Sequence, residues 1–343
     1  MKIKVGILTA PHIEFEQREK TFVLKNVRIG IGFHWDRYED QEFAGELEIK
    51  PTPNPSLKGG EPWEVAINTI DLEDYLCSVI SSEMSANSPM ELLKAQSDIS
   101  RSWAIRAMEH PNHEGFHVCA DDHCQRYEGL RRINERAVEA VRATKGQVLM
   151  YDNTICDCRY YKCCGGRTEI WRTCWEDIDV PYIQSVPCDW CKSPSPQVLR
   201  LVLNDYDQET KDFRDWKVTY TADELSEIIR TKSGIDFGEI IGLIPLKRGA
   251  SGRIYELKIV GTKRTEIIGK ELKIRLWLSK SCLYSSWFEV EHENGVWTLI
   301  GHGWGHGAGL CQIGAAVMAS EGKTYEEILQ YYYHGARLGV AAQ

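Results

Sequence analysis

Ile67-Asn68-Thr69-Ile70-Asp71-Leu72-Glu73-Asp74-Tyr75-Leu76 is the stretch on which the reading of the fold turns. Before it the chain alternates apolar and polar residues, as strands do. From Asp71 the pattern changes and a helix opens, expected to reach about Ser81. Ser88-Pro89-Met90-Glu91 starts a second helix, with Ser88 as cap, Pro89 at the first helical position and Glu91 completing a capping box. Leu92, Ala95, Ile99 and Trp103 then form one apolar stripe. Glu83 falls at the junction of the two helices, beside their buried faces. A carboxyl there can be partly desolvated and still face a groove.

Outward from this junction, residues 1–70 read as an N-terminal β region. Val23–Ile29 and Phe43–Ile49 have the look of strands, and residues 51–61 of a loop. Downstream, residues 110–130 form an irregular loop rich in His and Cys. Ile133, Ala137, Val138 and Val141 mark a helix that ends near Gly146. Residues 148–155 read as a hairpin turning at Asp152-Asn153. A separate lobe follows, with a capped helix over 221–232 and strands at 253–261 and 264–268. The tail has a glycine-rich segment and two helices, the last capped at Thr324-Tyr325-Glu326-Glu327. The expected fold class is α+β, a mixed helical and β core with a smaller inserted α/β lobe. The expected divisions are 1–70, 71–195 as a core, 196–290 as the lobe, and 291–343 returning to complete the core.

The 343 residues carry a net charge of −9, which argues against nucleic acid or an anionic membrane as partner. No apolar run approaches the ~18 residues of a membrane span. Met1 to Leu8 is too short for a signal peptide and reads as a strand, so the expectation is either a cytoplasmic protein or an export signal removed before Met1. Of the 12 cysteines, one group lies among histidines. Another (Cys156, Cys158, Cys163, Cys164, Cys174, Cys188, Cys191) is packed into a short span, readable as disulfides, metal ligands or reduced thiols.

Four places hold residues suited to chemistry. Glu83, in Ser82-Glu83-Met84, is by itself a weak signal, since most glutamates near helix ends are solvated or capping. His110, His113, His117, Cys119, His123 and Cys124 supply ligands of the kind tetrahedral zinc takes; a Cys119–Cys124 disulfide or free thiols are the plainer readings. Tyr160 to Thr168 includes Cys163-Cys164-Gly165-Gly166, whose glycines let backbone amides approach a ligand. Cys164 is open to reading as a thiol nucleophile, a disulfide or a packed thiol. Gly301-His302-Gly303-Trp304-Gly305-His306-Gly307-Ala308-Gly309-Leu310-Cys311-Gln312 lacks the Lys-Ser/Thr of a phosphate loop. It reads as a tight backbone wall bearing Trp304, His306 and Gln312.

Several blocks together resemble the stage II sporulation protein D (SpoIID) family. They are Ile67 to Leu76, Ser82-Glu83-Met84, Leu93-Lys94-Ala95-Gln96, Arg101-Ser102-Trp103-Ala104, the glycine-rich segment, and Tyr325 through Gly335. The resemblance implies a peptidoglycan lytic transglycosylase that cuts the MurNAc–GlcNAc bond, preferring peptide-free strands, with Glu83 as single acid/base. It implies a substrate set of Arg101, Tyr161, Lys162, Cys164, Gly165, Gly166, Thr168, Trp304, His306 and Gln312. His123-Cys124 followed by Gln125 resembles the zinc loop of some members, where two histidines and two cysteines hold a structural ion. The matching set is His113, Cys119, His123 and Cys124, with His117 as an alternative to His113. The family's usual serine run is replaced here by Cys163-Cys164, which departs from its pattern. Some relatives assist a cell-wall amidase instead, which leaves a non-catalytic wall-binding reading; a zinc-dependent hydrolase is a third. A periplasmic or cell-surface address would follow from the substrate.

Overall fold

The computed structural model describes the chain except for residues 32–35, 53–62, 86, 122, 193, 204–212 and 342–343. Helices and several small sheets are mixed along it, an α+β architecture. The chain divides into two units, the first built from Met1–Cys158 with Leu201–Tyr206 and Arg337–Gln343, the second from Arg159–Arg200 and Asp207–Ala336. The division falls inside the stretch 71–195 that was expected to form one core. Residues 159–200 group instead with the lobe and the glycine-rich segment.

In the first unit, β1 (Lys2–Ala10) opens the chain. β2 (Phe15–Gln17), β3 (Thr21–Ile29) and β4 (Arg37–Ala44) form an antiparallel sheet. β5 (Glu46–Thr52) and β6 (Trp63–Asp71) join β1 and β7 (Val118–Cys119) in the order β5-β6-β1-β7. The strand expected over 43–49 is thus two strands. Gly45 breaks it at φ +90°, a conformation that costs glycine little and other residues much. The loop expected over 51–61 lies outside the described residues from 53 onward; Pro51 and Thr52 belong to β5.

β6 passes directly into α1 (Leu72–Glu83), whose N-cap Asp71 accepts the Glu73 N–H at 2.9 Å. The helix runs two residues beyond the expected end and brings Glu83 to its last position. α2 (Met90–Glu109) follows. The capping box expected there does not form. Pro89 is the N-cap with no side-chain cap bond, Ser88 Oγ donates to Leu201 O at 3.2 Å, and Glu91 pairs with Lys94 at 2.7 Å. Ser88 lies one residue too far out to reach the amides of the first turn. The apolar stripe Leu92, Ala95, Ile99 and Trp103 is buried as its spacing demands. α3 (Glu135–Ala143) packs against both helices. The hairpin of β8 (Gln147–Tyr151) and β9 (Thr154–Ile155) turns at Asp152 and Asn153, both with positive φ, and Arg337–Val340 pairs with β8.

The second unit holds two three-stranded antiparallel sheets. One is Asp215–Thr221, Val296–His302 and Phe288–Glu293; the other is Ile240–Arg248, Ile254–Gly261 and Thr265–Ile268. Helix Ala222–Ser233 carries the expected capping box from Thr221 to Glu224. Leu225, Ile229, Phe237, Leu257, Ile259, Phe288 and Leu299 fill the core of this unit. The strands expected at 253–261 and 264–268 form within a residue of their predicted ends. Helices Gln312–Ser320 and Tyr325–Tyr332 close the segment, the latter capped by Thr324 and Glu327.

Candidate active site and metal-ligating groups

Glu83 is half-buried between fully buried Ser82 and Met84. One carboxylate oxygen accepts the backbone N–H of Arg126 at 3.2 Å. The segment carrying that amide is clamped on both sides. Tyr75 OH donates to Gln125 Oε1 at 3.2 Å, Gln125 Nε2 to Ser100 O at 3.4 Å, and Tyr127 OH to Asn68 Oδ1 at 2.7 Å. These bonds tie residues 125–127 to α1, α2 and β6.

Just upstream, His113, Cys119, His123 and Cys124 bring one ligand atom each to within 4.8 Å of one another. His113 Nε2 lies 3.2 Å from Cys124 Sγ, and His123 Nδ1 lies 3.4 Å from Cys124 Sγ and 3.8 Å from Cys119 Sγ. The Cys119 thiol is pulled down to about 4, first by its hydrogen bond with Cys124 and also by His123, against the effect of burial. Two sulfurs and two ring nitrogens at this separation suit a tetrahedral divalent ion. The scaffold is explicit: Cys119 ends β7 beside Gly6 of β1, and Asp121 accepts the N–H groups of Gly30 and Ile31 at 3.0 and 3.2 Å. His113, not His117, joins the group. His117 Nδ1 instead accepts the Lys4 N–H at 3.0 Å.

The neighbouring acids have other duties. Asp71 caps α1. Glu73 makes two bonds to Arg101, at 2.9 and 2.8 Å, and Asp98 a third at 3.2 Å. Asp71, Glu73 and Asp74 sit nine to twelve residues before Glu83, a rise of roughly 14–18 Å along the helix. That exceeds the ~5–9.5 Å between the carboxyl pairs of glycoside hydrolases. Arg101 is 1% exposed and also donates to Gln147 O and Val141 O. Its expected place against substrate does not match this burial: the guanidinium is spent inside the helical layer.

In the second unit, Tyr160–Tyr161 runs parallel to Leu310–Cys311, and Cys163 and Trp304 exchange backbone bonds of 3.0 and 2.8 Å. This lacing explains the glycine alternation. Gly309 has φ +87°, and a Cβ there would lie 2.0 Å from Arg159 O. Several residues expected to touch sugar are internal supports here. Thr168 is buried, with Oγ1 donating to Gln184 O at 3.0 Å and accepting Val186 N–H at 2.8 Å. Trp304 is buried against Phe213 and Tyr284. Tyr161 and Gln312 are buried too, and Gly165 is packed against Trp287 and Gly303. Lys162, Gly166 and His306 retain surface. Both His306 nitrogens are nonetheless engaged: Nε2 lies 3.0 Å from Tyr160 O and Nδ1 accepts the Ala308 N–H at 3.1 Å. That pairing requires the neutral Nε2–H form, and burial with Arg159, Arg275 and Arg253 nearby holds its pKa well below the usual value. His302 pairs with Asp215 at 2.7 Å.

Cys164 Sγ lies 2.9 Å from Cys191 Sγ. It is fully buried with Cys188, Cys191 and Cys311, their four sulfurs mutually within 4.8 Å. Burial pushes the Cys164 and Cys311 thiols up, while hydrogen bonds from Cys163, Cys164, Cys188 and Cys311 drive Cys191 down. Two further residues escaped the sequence reading. Buried Glu169 accepts Ala250 N–H at 3.0 Å and Ser251 Oγ–H at 2.6 Å; Arg253 donates to Gly305 O at 3.1 Å and Cys164 O at 3.3 Å. They fasten the turn at 249–253 to the glycine-rich wall, and nothing in their sequence context marks them.

The family model described as stage II sporulation protein (SpoIID) matches residues 63–151, the stretch that holds Glu83 and the sulfur–nitrogen group. A domain family of unknown function, DUF8618, matches residues 169–309. Over residues 63–151 the chain is similar to the SpoIID family. It is 28% identical over 317 residues to stage II sporulation protein D of Bacillus subtilis, spanning 87% of this chain and 82% of that protein. It is 29% identical over 274 residues to an uncharacterized protein of Brachyspira hyodysenteriae, 79% of this chain and 67% of that protein. It is 27% identical over 295 residues to the amidase enhancer of Bacillus subtilis, 77% of this chain but 40% of that protein. No described helix is long and apolar enough to cross a membrane.

Proposed function

We propose that the chain is a peptidoglycan lytic transglycosylase with Glu83 as its acid/base, acting at the periplasmic or cell-surface glycan. The observation that carries this is the bond from Arg126 N–H to Glu83, which orients a half-buried carboxyl at a helix end. Protonated, Glu83 gives its proton to the oxygen between MurNAc and GlcNAc as the bond to C1 breaks. Ionised, it then takes the proton of the C6 hydroxyl, which attacks C1 and closes a 1,6-anhydro ring. No water is consumed and no second carboxylate is needed. The acids earlier on α1 are too far back to serve as one.

His113, Cys119, His123 and Cys124 are the residues that would hold zinc. With four protein ligands the ion would have no open position, so it would support the fold and supply no chemistry. Cys124 is two residues from Arg126, so this group sets the backbone that orients Glu83. This disfavours a zinc-dependent hydrolase.

Mass spectrometry of peptide-free glycan strands after digestion tests the reaction. Anhydro ends are expected; reducing ends would overturn the lytic mechanism. The relative named amidase enhancer supports a second reading, in which the protein binds wall glycan and assists an amidase. Strand binding without new ends, together with faster release of stem peptides by an added amidase, would favour it.

A further inference from the structure

We propose that Cys164, Cys188, Cys191 and Cys311 form a structural tetrathiolate zinc site, separate from the sulfur–nitrogen group of the first unit. All four cysteines are fully buried and uncrosslinked, and their sulfurs are mutually within 4.8 Å. Sulfurs bound at ~2.3 Å to one tetrahedral ion lie roughly 3.8 Å apart, so small shifts suffice to seat zinc. Four thiolates and no water leave no open position, the arrangement of structural rather than catalytic zinc.

The backbone around the sulfurs is built for anionic sulfur. Cys164 N–H and Gly314 N–H both point to Cys311 Sγ, at 3.3 and 3.4 Å, and Gly166 N–H to Cys164 Sγ at 3.4 Å. Such donors stabilise metal thiolates and fix their orientation. Cys311 is also the N-cap of helix Gln312–Ser320, where the helix dipole favours a negative atom. Cys188 and Cys191 have the two-residue spacing of a zinc knuckle, on a short 3₁₀ turn at Asp189–Cys191. Gly314 leaves room for the sulfurs: a Cβ there would lie 2.9 Å from Cys188 Sγ. A thiol pair that merely packs needs none of these donors.

The site would staple three distant segments, the turn at 163–166, the turn at 188–191 and the end of the glycine-rich wall. It would give Cys164, which stands within the family's serine run, a task a serine hydroxyl does not have.

The test is zinc content and zinc environment on purified protein. Cys188→Ser with Cys191→Ser should carry one equivalent of zinc fewer per chain than wild type, while Cys77→Ser matches wild type. Unchanged zinc in the double variant would overturn the proposal. Should that variant fail to fold, X-ray absorption on the folded His123→Ala, Cys124→Ser protein decides. Bound zinc with only sulfur neighbours at ~2.3 Å supports the site. Nitrogen or oxygen neighbours, no zinc, or a Cys164–Cys191 disulfide in mass spectra would overturn it. These outcomes are independent of whether the protein cleaves glycan.

Discussion

Among the described residues two ligand-rich groups stand out, and they differ in donor set, in burial and in how far apart their residues lie in the chain. The sulfur–nitrogen group of the first unit comes from a single loop, residues 113–124, and its His123 is exposed. The four-cysteine group of the second unit gathers residues up to 147 positions apart and is wholly buried. The first stands two residues from the amide that holds Glu83. The second is surrounded by residues that turned out to be supports. Where ligands are local and half-exposed, a group can be tuned to a reacting carboxyl. Where they are distant and dry, it holds the chain together.

The contrast is sharpest at Glu83. Glu83→Gln should lower turnover on peptide-free glycan by roughly 10²–10⁴-fold, the range of a positioned acid/base, with zinc content and melting temperature unchanged. Full activity in that variant would move the chemistry elsewhere. Arg101→Met is expected to do the reverse. It leaves Asp98 and Glu73 without their partner and should cost about 3–5 kcal/mol of stability in denaturant titration. A wild-type midpoint with a raised KM would return Arg101 to the substrate. A soluble chelator should remove zinc in two phases, the loop group first and the buried one after partial unfolding. A single phase with both ions lost together would erase the distinction.

The smallest effect concerns acid. His306 is held neutral in the fold, so its folded pKa lies below its unfolded value of about 6.5. Below that pH the unfolded chain binds a proton the folded chain does not, and stability falls as pH falls, by at most about 1.4 kcal/mol per pH unit. Above it the term vanishes. His306→Gln should flatten this slope in melting curves between pH 7 and 5, though it loses the bond to Tyr160 O and starts lower.

The helices were legible because their signals are local. The stripe from Leu92 to Trp103 and the capping boxes at Thr221 and Thr324 need only neighbours three or four residues away. The loop ligands were legible for the same reason, yet the choice between His113 and His117 needed β1, whose Lys4 amide claims His117. The four-cysteine group was half legible. Cys188 and Cys191 carry a recognisable spacing, whereas Cys164 and Cys311 meet only through the pairing of Tyr160–Tyr161 with Leu310–Cys311. Burial misled most. Arg101, Thr168, Trp304 and Gln312 are residue types that serve ligands on surfaces, and sequence alone did not reveal that their polar atoms are already spent or enclosed.

The bond between Arg126 N–H and Glu83 belongs to the main chain, so it is invisible to side-chain mutagenesis. Arg126→Ala keeps the amide, so an alanine scan through 124–128 leaves this bond to Glu83 in place. Only proline deletes that donor. Arg126→Pro would then be the substitution that takes this donor from Glu83 without touching the carboxyl itself.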